Sequence, residues 1–380
     1  MSENPEFIMK NITNADWEKE LELIGFDKSY RNKFGDKFLH KNLKIYNLTN
    51  AQANILKQTA LSVGADCAQH KNVVTGNIKY SDVILCGSVN SLEKIARKLK
   101  YQPFSLPLLG DEIISQLKQK QNKTKIAGIL NITPDSFSDG GKYDNFEAAC
   151  RHFDELVKDG ADIIDIGAES TRPKAKPVSD REQLNKLLPV LDYAKQYNIP
   201  ISIDTRSSYV ARECLKNGVS IINDVSGLKY DGKMAEVIAE NNAGVIIQHS
   251  LGTQINMQNE TVYKNVVDDV FLDLYKQIKY AEHAGIKSII ADVGIGFDKN
   301  SEDNFKLLNR IEEFYSLGYP VMTGISRKSL LNMQDASNEE KDMFTLALNT
   351  LAVEHRVDYI RVHNVKIHRK LIDTYKFEIL

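Results

Sequence analysis

Eight short runs rich in valine and isoleucine recur from residue 125 onward, each followed by a longer amphipathic stretch, and this alternation leaves few architectures open. The runs are KIAGILNI (125–132), ADIIDIG (161–167), PISIDT (200–205), VSIINDV (219–225), AGVIIQH (243–249), SIIADVG (288–294), YPVMTGIS (319–326) and VDYIRVH (357–363). Between them lie segments such as NFEAACRHFDELVKDG, SDREQLNKLLPVLDYAKQYN and VVDDVFLDLYKQIKYAEHAG, which have helical spacing and end in Gly or Asn. Nearly continuous apolar runs mark strands buried on both faces. Eight such units over roughly 250 residues predict an α/β fold, a (β/α)8 TIM barrel spanning 121–380. An open doubly wound sheet is the alternative. It calls for fewer strands and a glycine-rich fingerprint after the first one, which this chain lacks.

The first 120 residues read differently. NLKIYNL predicts a strand, NAQANILKQTALSVG a helix, DCAQH a short strand, and NIKYSDVILCG a strand before the helix VNSLEKIARKLK; QPFSLPLL closes the segment. That order is compatible with a smaller α/β domain over 1–120 of the βαββαβ, ferredoxin-like type. The polar run ISQLKQKQNKTK (114–125) predicts a helix and linker between the two parts. No chemical motif stands out in the N-terminal domain, so its role stays open.

Composition narrows the functions. An apolar content of 42% with 26% charged residues is the balance of a folded domain, not a disordered chain. A net charge of −2 argues against general nucleic-acid binding, which calls for a basic excess. Cys67, Cys86, Cys150 and Cys214 form no CxxC pair, so they read as four buried thiols in a reducing cytosol. The N-terminus has no apolar signal core, and no run approaches the ~20 apolar residues of a membrane span. A cytoplasmic protein with no membrane and no nucleic-acid partner is expected.

In a (β/α)8 barrel the active site is built at the C-terminal ends of the strands. Those positions hold Asn131 and the loop to Asp139; Glu169, Ser170, Thr171 and Arg172; Asp204, Thr205 and Arg206; and Asn223 and Asp224. They continue with Gln248 and His249, Asp292, then Ser326, Arg327 and Lys328, and finally Arg361 and His363. Strand interiors are almost free of polar groups, so convergence at one end fits a polar ligand better than eight coincidental surface charges. Arg172, Lys328, Arg361 and His363 offer cations or donors to phosphate and carboxylate oxygens. Asp204, Asn223 and Asp292 can pair with a flat heterocycle bearing several N–H groups. For any single residue a solvated loop charge is the simpler reading, and for Arg361 and Lys328 the alternative to a ligand role is pairing with neighbouring acids.

No cluster has transition-metal spacing, but Asn131 could give an oxygen to a loosely held Mg2+ on a pyrophosphate. There is no GxSxG elbow and no Cys beside a His at a strand tip. Positioning and electrostatic stabilisation of a departing anion are therefore favoured over covalent catalysis.

The motifs GILNITPDSFSDGG, DIGAESTRP, ISIDT, IIND, GIGF, GISRKS and RVHNV occur in that order across 125–380. Together they resemble the dihydropteroate synthases of folate biosynthesis, the first, second and sixth carrying most of the weight. The resemblance implies a pterin-binding transferase that joins 4-aminobenzoate to 6-hydroxymethyl-7,8-dihydropterin diphosphate and releases pyrophosphate by an SN1-like step. It implies that Asp204, Asn223, Asp292 and Lys328 hold the pterin ring. Asn131, Arg361 and His363 would hold the diphosphate, with Mg2+ on Asn131. Ser136, Phe137 and Asp139 of the first loop and Thr171, Arg172 and Pro173 of the second would fold over the site and, with Ser329, complete the aminobenzoate pocket. Asp139, Arg172 and Lys328 are the catalytic residues this implies, Asp139 facing the positive charge left on the methylene. The family also implies sulfonamide targeting and a homodimer formed through barrel helices.

Three positions depart from the family pattern. Val293 stands where Pro is usual, Gln248 where Met is common, and Asn364 where Asp is typical. Val293 is expected to loosen the turn after Asp292, because Pro fixes φ. Two other functions share part of the pattern. A pterin-dependent methyltransferase leaves SRKS and DSFSDGG unexplained and usually works with a corrinoid-carrying partner. A non-catalytic pterin-binding scaffold predicts binding without turnover.

Overall fold

A computed structural model describes residues 9–10, 12, 17–27, 29, 34, 36–118, 123–132, 142–169, 178–251, 263–328 and 336–375. The chain divides into two compact units, Met1–Gln119 and Lys120–Leu380.

In the first unit, helix α1 (Trp17–Leu23) precedes strand β1 (His40–Thr49), helix α2 (Asn50–Leu61), strands β2 (Asp66–Gln69) and β3 (Tyr80–Ser88), and helices α3 (Val89–Leu99) and α4 (Leu106–Leu117). The strands form an antiparallel sheet in the order β1-β3-β2. The fourth strand of a βαββαβ unit is not present among the described residues, because QPFSLPLL leads into α4 instead. Pro107 sits in the first turn of that helix, where a missing N–H costs nothing. Leu106, Gly110 and Ile113 then recur at helical spacing and are buried. Gly110 permits the close approach to α3, since a Cβ there would lie 2.7 Å from the carbonyl oxygen of Ala96.

The second unit alternates strand and helix throughout: β4 (Lys125–Asn131), α5 (Lys142–Lys158), β5 (Ile163–Gly167), α6 (Asp180–Ala194), β6 (Ile201–Asp204), α7 (Ser208–Lys216), β7 (Ile221–Asp224) and α8 (Met234–Glu240). It continues with β8 (Gly244–Gln248), α9 (Val266–His283), β9 (Ser288–Asp292), α10 (Ser301–Asn309), β10 (Val321–Thr323), α11 (Asn338–Glu354), β11 (Tyr359–Val362) and α12 (Val365–Thr374). All eight strands pair in parallel and close into a barrel, β9 joining β10 and β11 joining β4. This is the predicted (β/α)8 architecture. Capping boxes start α6 (Ser179 with Glu182) and α11 (Ser337 with Glu340), satisfying N–H groups the helix itself leaves unpaired.

Side chains alternate across each strand and sort into two cores. Ile126, Ile164, Ile203, Ile222, Val245, Ile289, Val321 and Ile360 face outward into the large cluster shared with the helices. Each fully buried side chain of this kind stabilises the fold by about 1.5–3 kcal/mol. Ala127, Ile163, Ile246, Ile290 and Met322 face inward and form a separate plug, with Ile221 and Tyr359 packed against it. A step of two residues from any plug residue returns to the barrel interior, one layer nearer the strand ends.

All four cysteines are free; Cys67, Cys150 and Cys214 are buried, whereas Cys86 is partly exposed, unlike the expected all-buried set. Among the described residues no helix is long and apolar enough to cross a membrane.

Candidate active site

Stepping two residues from the inner plug toward the strand ends reaches Asp165, Asn223, Gln248, Asp292, Gly324 and Arg361, and stepping four residues from Ala127 reaches Asn131. Asp204 and His363 lie on the same inward parity. Gly324 and Gly167 carry no side chain into this space; a Cβ on Gly167 would sit 3.5 Å from Asn131 Oδ1 and Asp204 Cβ. The mouth is thus rimmed by polar groups.

Arg361 ties the rim together. Its Nε donates to Asp165 Oδ2 at 2.6 Å, and its Nη2 donates to Asp204 Oδ2 at 2.9 Å. Asn223 Nδ2 donates to the same Asp165 oxygen at 3.0 Å. Burial lowers the basicity of the guanidinium, but Asp165 and Asp204 outweigh it and leave Arg361 more basic than usual. Asp204 is pushed upward by burial, against the pull of Arg361. Asp165 was not singled out from the sequence, because only strand ends were read and it lies one layer below. Its signal was a lone carboxylate in an isoleucine strand; it is fully buried, and such a group must be paired.

Lys328 and Asp292 form the opposite side. A Cβ on Gly324 would lie 3.6 Å from Asp292 Oδ2 and 3.8 Å from Lys328 Nζ, so both heads converge on one spot. Lys328 Nζ donates to the carbonyl of Ile295 at 2.5 Å and lies 4.2 Å from the centre of the Phe297 ring. Burial pushes the Lys328 ammonium down to about 7, opposed by Asp292. Burial likewise raises Asp292, opposed by Lys328.

The turn after β9 is shaped by a second lysine. Lys299 Nζ donates to the carbonyls of Gly294 (2.8 Å) and Phe297 (3.0 Å) and to His249 Nδ1 (3.0 Å), using all three of its N–H groups. His249 is therefore an acceptor at Nδ1, and burial followed by the charge of Lys299 pushes its pKa down to about 2. Gly294, at φ +68, is obligatory here, since a Cβ would fall 2.0 Å from the His249 carbonyl oxygen. Its N–H donates to Asp292 Oδ1 at 2.8 Å. The turn that carries Val293 is held by the Lys299 tripod and the Asp292 bond.

On the third side, Ser326 Oγ meets His363 Nδ1 at 2.9 Å and accepts the His363 backbone N–H at 3.2 Å. His363 Nε2 faces Asn131 Nδ2 at 3.5 Å. Burial brings the imidazole pKa down to about 3, so it is neutral. The Asn131 amide nitrogen can only donate, so Nε2 accepts from it and the neutral ring carries its proton on Nδ1, donating to Ser326 Oγ.

The structure thus brings together Asn131, Asp204, Asn223, Asp292, Lys328, Arg361 and His363. Ser136, Phe137, Asp139, Thr171, Arg172, Pro173 and Ser329 lie outside the described residues. Other strand-end groups serve the scaffold. Arg206 pairs with Glu169 at 3.1 Å, and Asp224 accepts from the backbone and hydroxyl of Ser226 at 2.8 and 2.6 Å.

The pterin binding enzyme family matches residues 127–363. The dihydropteroate synthase of Bacillus subtilis is 44% identical over 256 residues, covering 66% of this chain and 87% of that protein. The chain belongs to the dihydropteroate synthases. A solved dihydropteroate synthase from Clostridium difficile, in the presence of pteroic acid, is 39% identical with a TM-score of 0.63 and covers 68% of this chain and 98% of its own. A probable bifunctional folylpolyglutamate synthase/dihydropteroate synthase from Halobacterium salinarum is 36% identical over 328 residues, 83% of this chain and 40% of that protein. That match is longer than the barrel unit, so part of the N-terminal unit has a counterpart there.

Asn364 has a local role. Its Oδ1 caps α12 by accepting the Ile367 N–H at 3.4 Å, and its Nδ2 donates to Asp342 Oδ2 at 3.2 Å. Asp342 also holds Arg327 in a two-bond fork of 2.7 and 2.9 Å. An aspartate at 364 would cap the helix but repel Asp342.

Proposed function

We propose that the barrel mouth binds 6-hydroxymethyl-7,8-dihydropterin diphosphate with its ring on Asp204, Asn223, Asp292 and Lys328, its diphosphate on Arg361, His363 and Asn131, and joins it to 4-aminobenzoate. The observation that carries this is the single inward rim on which carboxylate and amide acceptors stand beside Lys328 and Arg361. A flat ring with several N–H groups matches the first set, and an anionic leaving group matches the second.

The reaction read this way is SN1-like. The bond between the methylene carbon and the diphosphate oxygen breaks with its electron pair leaving on pyrophosphate; the aminobenzoate nitrogen then bonds to the cationic carbon and loses a proton to solvent. Arg361 stabilises the departing charge without reorganising, because Asp165 and Asp204 already fix its plane. Asp139 and Arg172 keep their proposed catalytic parts, and Ser136, Phe137, Thr171, Pro173 and Ser329 their places at the aminobenzoate pocket, on motif support alone.

Magnesium is implied by the family. Among the described residues no group of three or more His, Cys, Asp or Glu could hold a metal ion. The Asn131 amide nevertheless fits Mg2+, which takes one or two protein oxygens and completes its shell with phosphate oxygens and water. Asn131 would hold the ion, which when bound would add positive charge to the leaving diphosphate. A cytoplasmic homodimer is part of the same proposal, and the exposed Met343 and Phe344 of α11 support an apolar contact between copies.

Steady-state release of pyrophosphate from the two substrates together, and not from the pterin alone, tests the reading. Lys328 adds a pH signature. Its pKa near about 7 means that the cation is present below that pH and lost above it. Affinity for the pterin diphosphate is expected to fall as pH rises, by up to about tenfold per unit between roughly pH 7 and roughly pH 9. Lys328→Met should bind weakly throughout and remove the dependence. Calorimetric titration checks this, and a flat wild-type profile would contradict it.

A further inference from the structure

Gln248 is the last residue of β8 and is 2% exposed, yet its Nε2 has no hydrogen-bond partner among the described residues. Native proteins rarely bury an amide donor without one, and each exception calls for a reason. The side chain points into the barrel, two residues beyond Ile246 of the inner plug. Across the β8–β9 register it stands beside Asp292. On the other flank, Ile246 pairs with Asn223. Asp292 Oδ1 accepts from Gly294, and Asn223, opposite Ile246, donates to Asp165 while its own Oδ1 has no partner among the described residues.

Resting on the function proposed above, we propose that Gln248 is a specificity-determining residue of this chain's pterin site, its side-chain amide donating a hydrogen bond to an acceptor atom on the heterocycle. The chemistry is complementary. A 2-amino-4-oxopyrimidine edge that gives its N–H groups to the Asp292 carboxylate carries a ring nitrogen on one flank and a carbonyl oxygen on the other. A donor standing next to Asp292 meets one of these acceptors.

Gln248→Met and Gln248→Glu separate the possibilities, with binding of 6-hydroxymethyl-7,8-dihydropterin diphosphate measured by calorimetry and thermal unfolding measured without ligand. Gln248→Met should raise the Tm of the free protein, because an unpaired buried amide is removed, and weaken binding about 10-fold. The aminobenzoate KM should stay within about 2-fold, since that substrate does not meet β8 in this reading. Gln248→Glu sets an anionic acceptor against the ring acceptor and beside Asp292, and should weaken binding about 100-fold. Unchanged affinity in Gln248→Met overturns the proposal while leaving the enzyme's function intact. Tighter binding by Gln248→Glu overturns the donor role. If the wild type itself neither binds the pterin diphosphate nor releases pyrophosphate, the functional reading fails instead.

Discussion

Asp165→Ala is expected to lower kcat/KM for the pterin diphosphate by about 1,000-fold and to destabilise the fold by about 3–5 kcal/mol, the range seen when one partner of a buried charge pair is removed. The carboxylate is fully buried, and a single oxygen receives both Arg361 Nε and Asn223 Nδ2. Removing it frees two groups proposed to hold substrate and leaves Arg361 with Asp204 alone. Asp165→Asn separates geometry from charge. Its amide oxygen can accept both N–H groups from the same place while the amide nitrogen takes the position of Oδ1, which has no partner among the described residues. A loss of about 10-fold is therefore expected for Asn, with stability reduced by about 1 kcal/mol. Steady-state kinetics and denaturant titration check both variants. Alanine within about 3-fold of wild type would show that Asp165 does not hold the site together.

Arg361→Lys is expected to cost about 100- to 1,000-fold in kcat/KM although the charge is kept, because the two carboxylates are met by two different arms of one planar fork. An ammonium is a point charge. It can sit beside Asp165 Oδ2 or Asp204 Oδ2, but it cannot hold both and still present a fixed plane to a phosphate. The loss should be concentrated in the pterin diphosphate KM and in kcat, leaving the aminobenzoate KM within about 3-fold. Equal weakening of both substrates would point to collapse of the barrel mouth, and retention of activity within about 5-fold would reduce Arg361 to a source of charge.

What could be read from the sequence followed strand periodicity. Every barrel strand was visible as an apolar run, and residues such as Asn223 and Asp292 were found because they end those runs. Which end residues face the interior was not legible from position alone. Asp224 and Asp292 both end strands, yet Asp224 points outward to fold its own turn while Asp292 points inward. Asp165 was missed for the related reason that it lies inside a run, where a polar residue was not sought. In the N-terminal unit, the βαββαβ reading calls for a fourth strand after the second helix, but Pro107 in the first turn and the Leu106, Gly110, Ile113 spacing make QPFSLPLL lead into a helix. The contacts of Lys299 with the turn around Val293 are not legible in the sequence, because its three acceptors come together only through the fold.

The most direct measurement is a crystal structure of the protein soaked with 6-hydroxymethyl-7,8-dihydropterin diphosphate. Hydrogen bonds from the bicyclic ring to Asp204, Asn223, Asp292 and Lys328, with phosphate oxygens on Arg361, His363 and Asn131, are the predicted result. A ring bound away from the strand ends, or phosphates lying out of reach of Arg361 and His363, would contradict it.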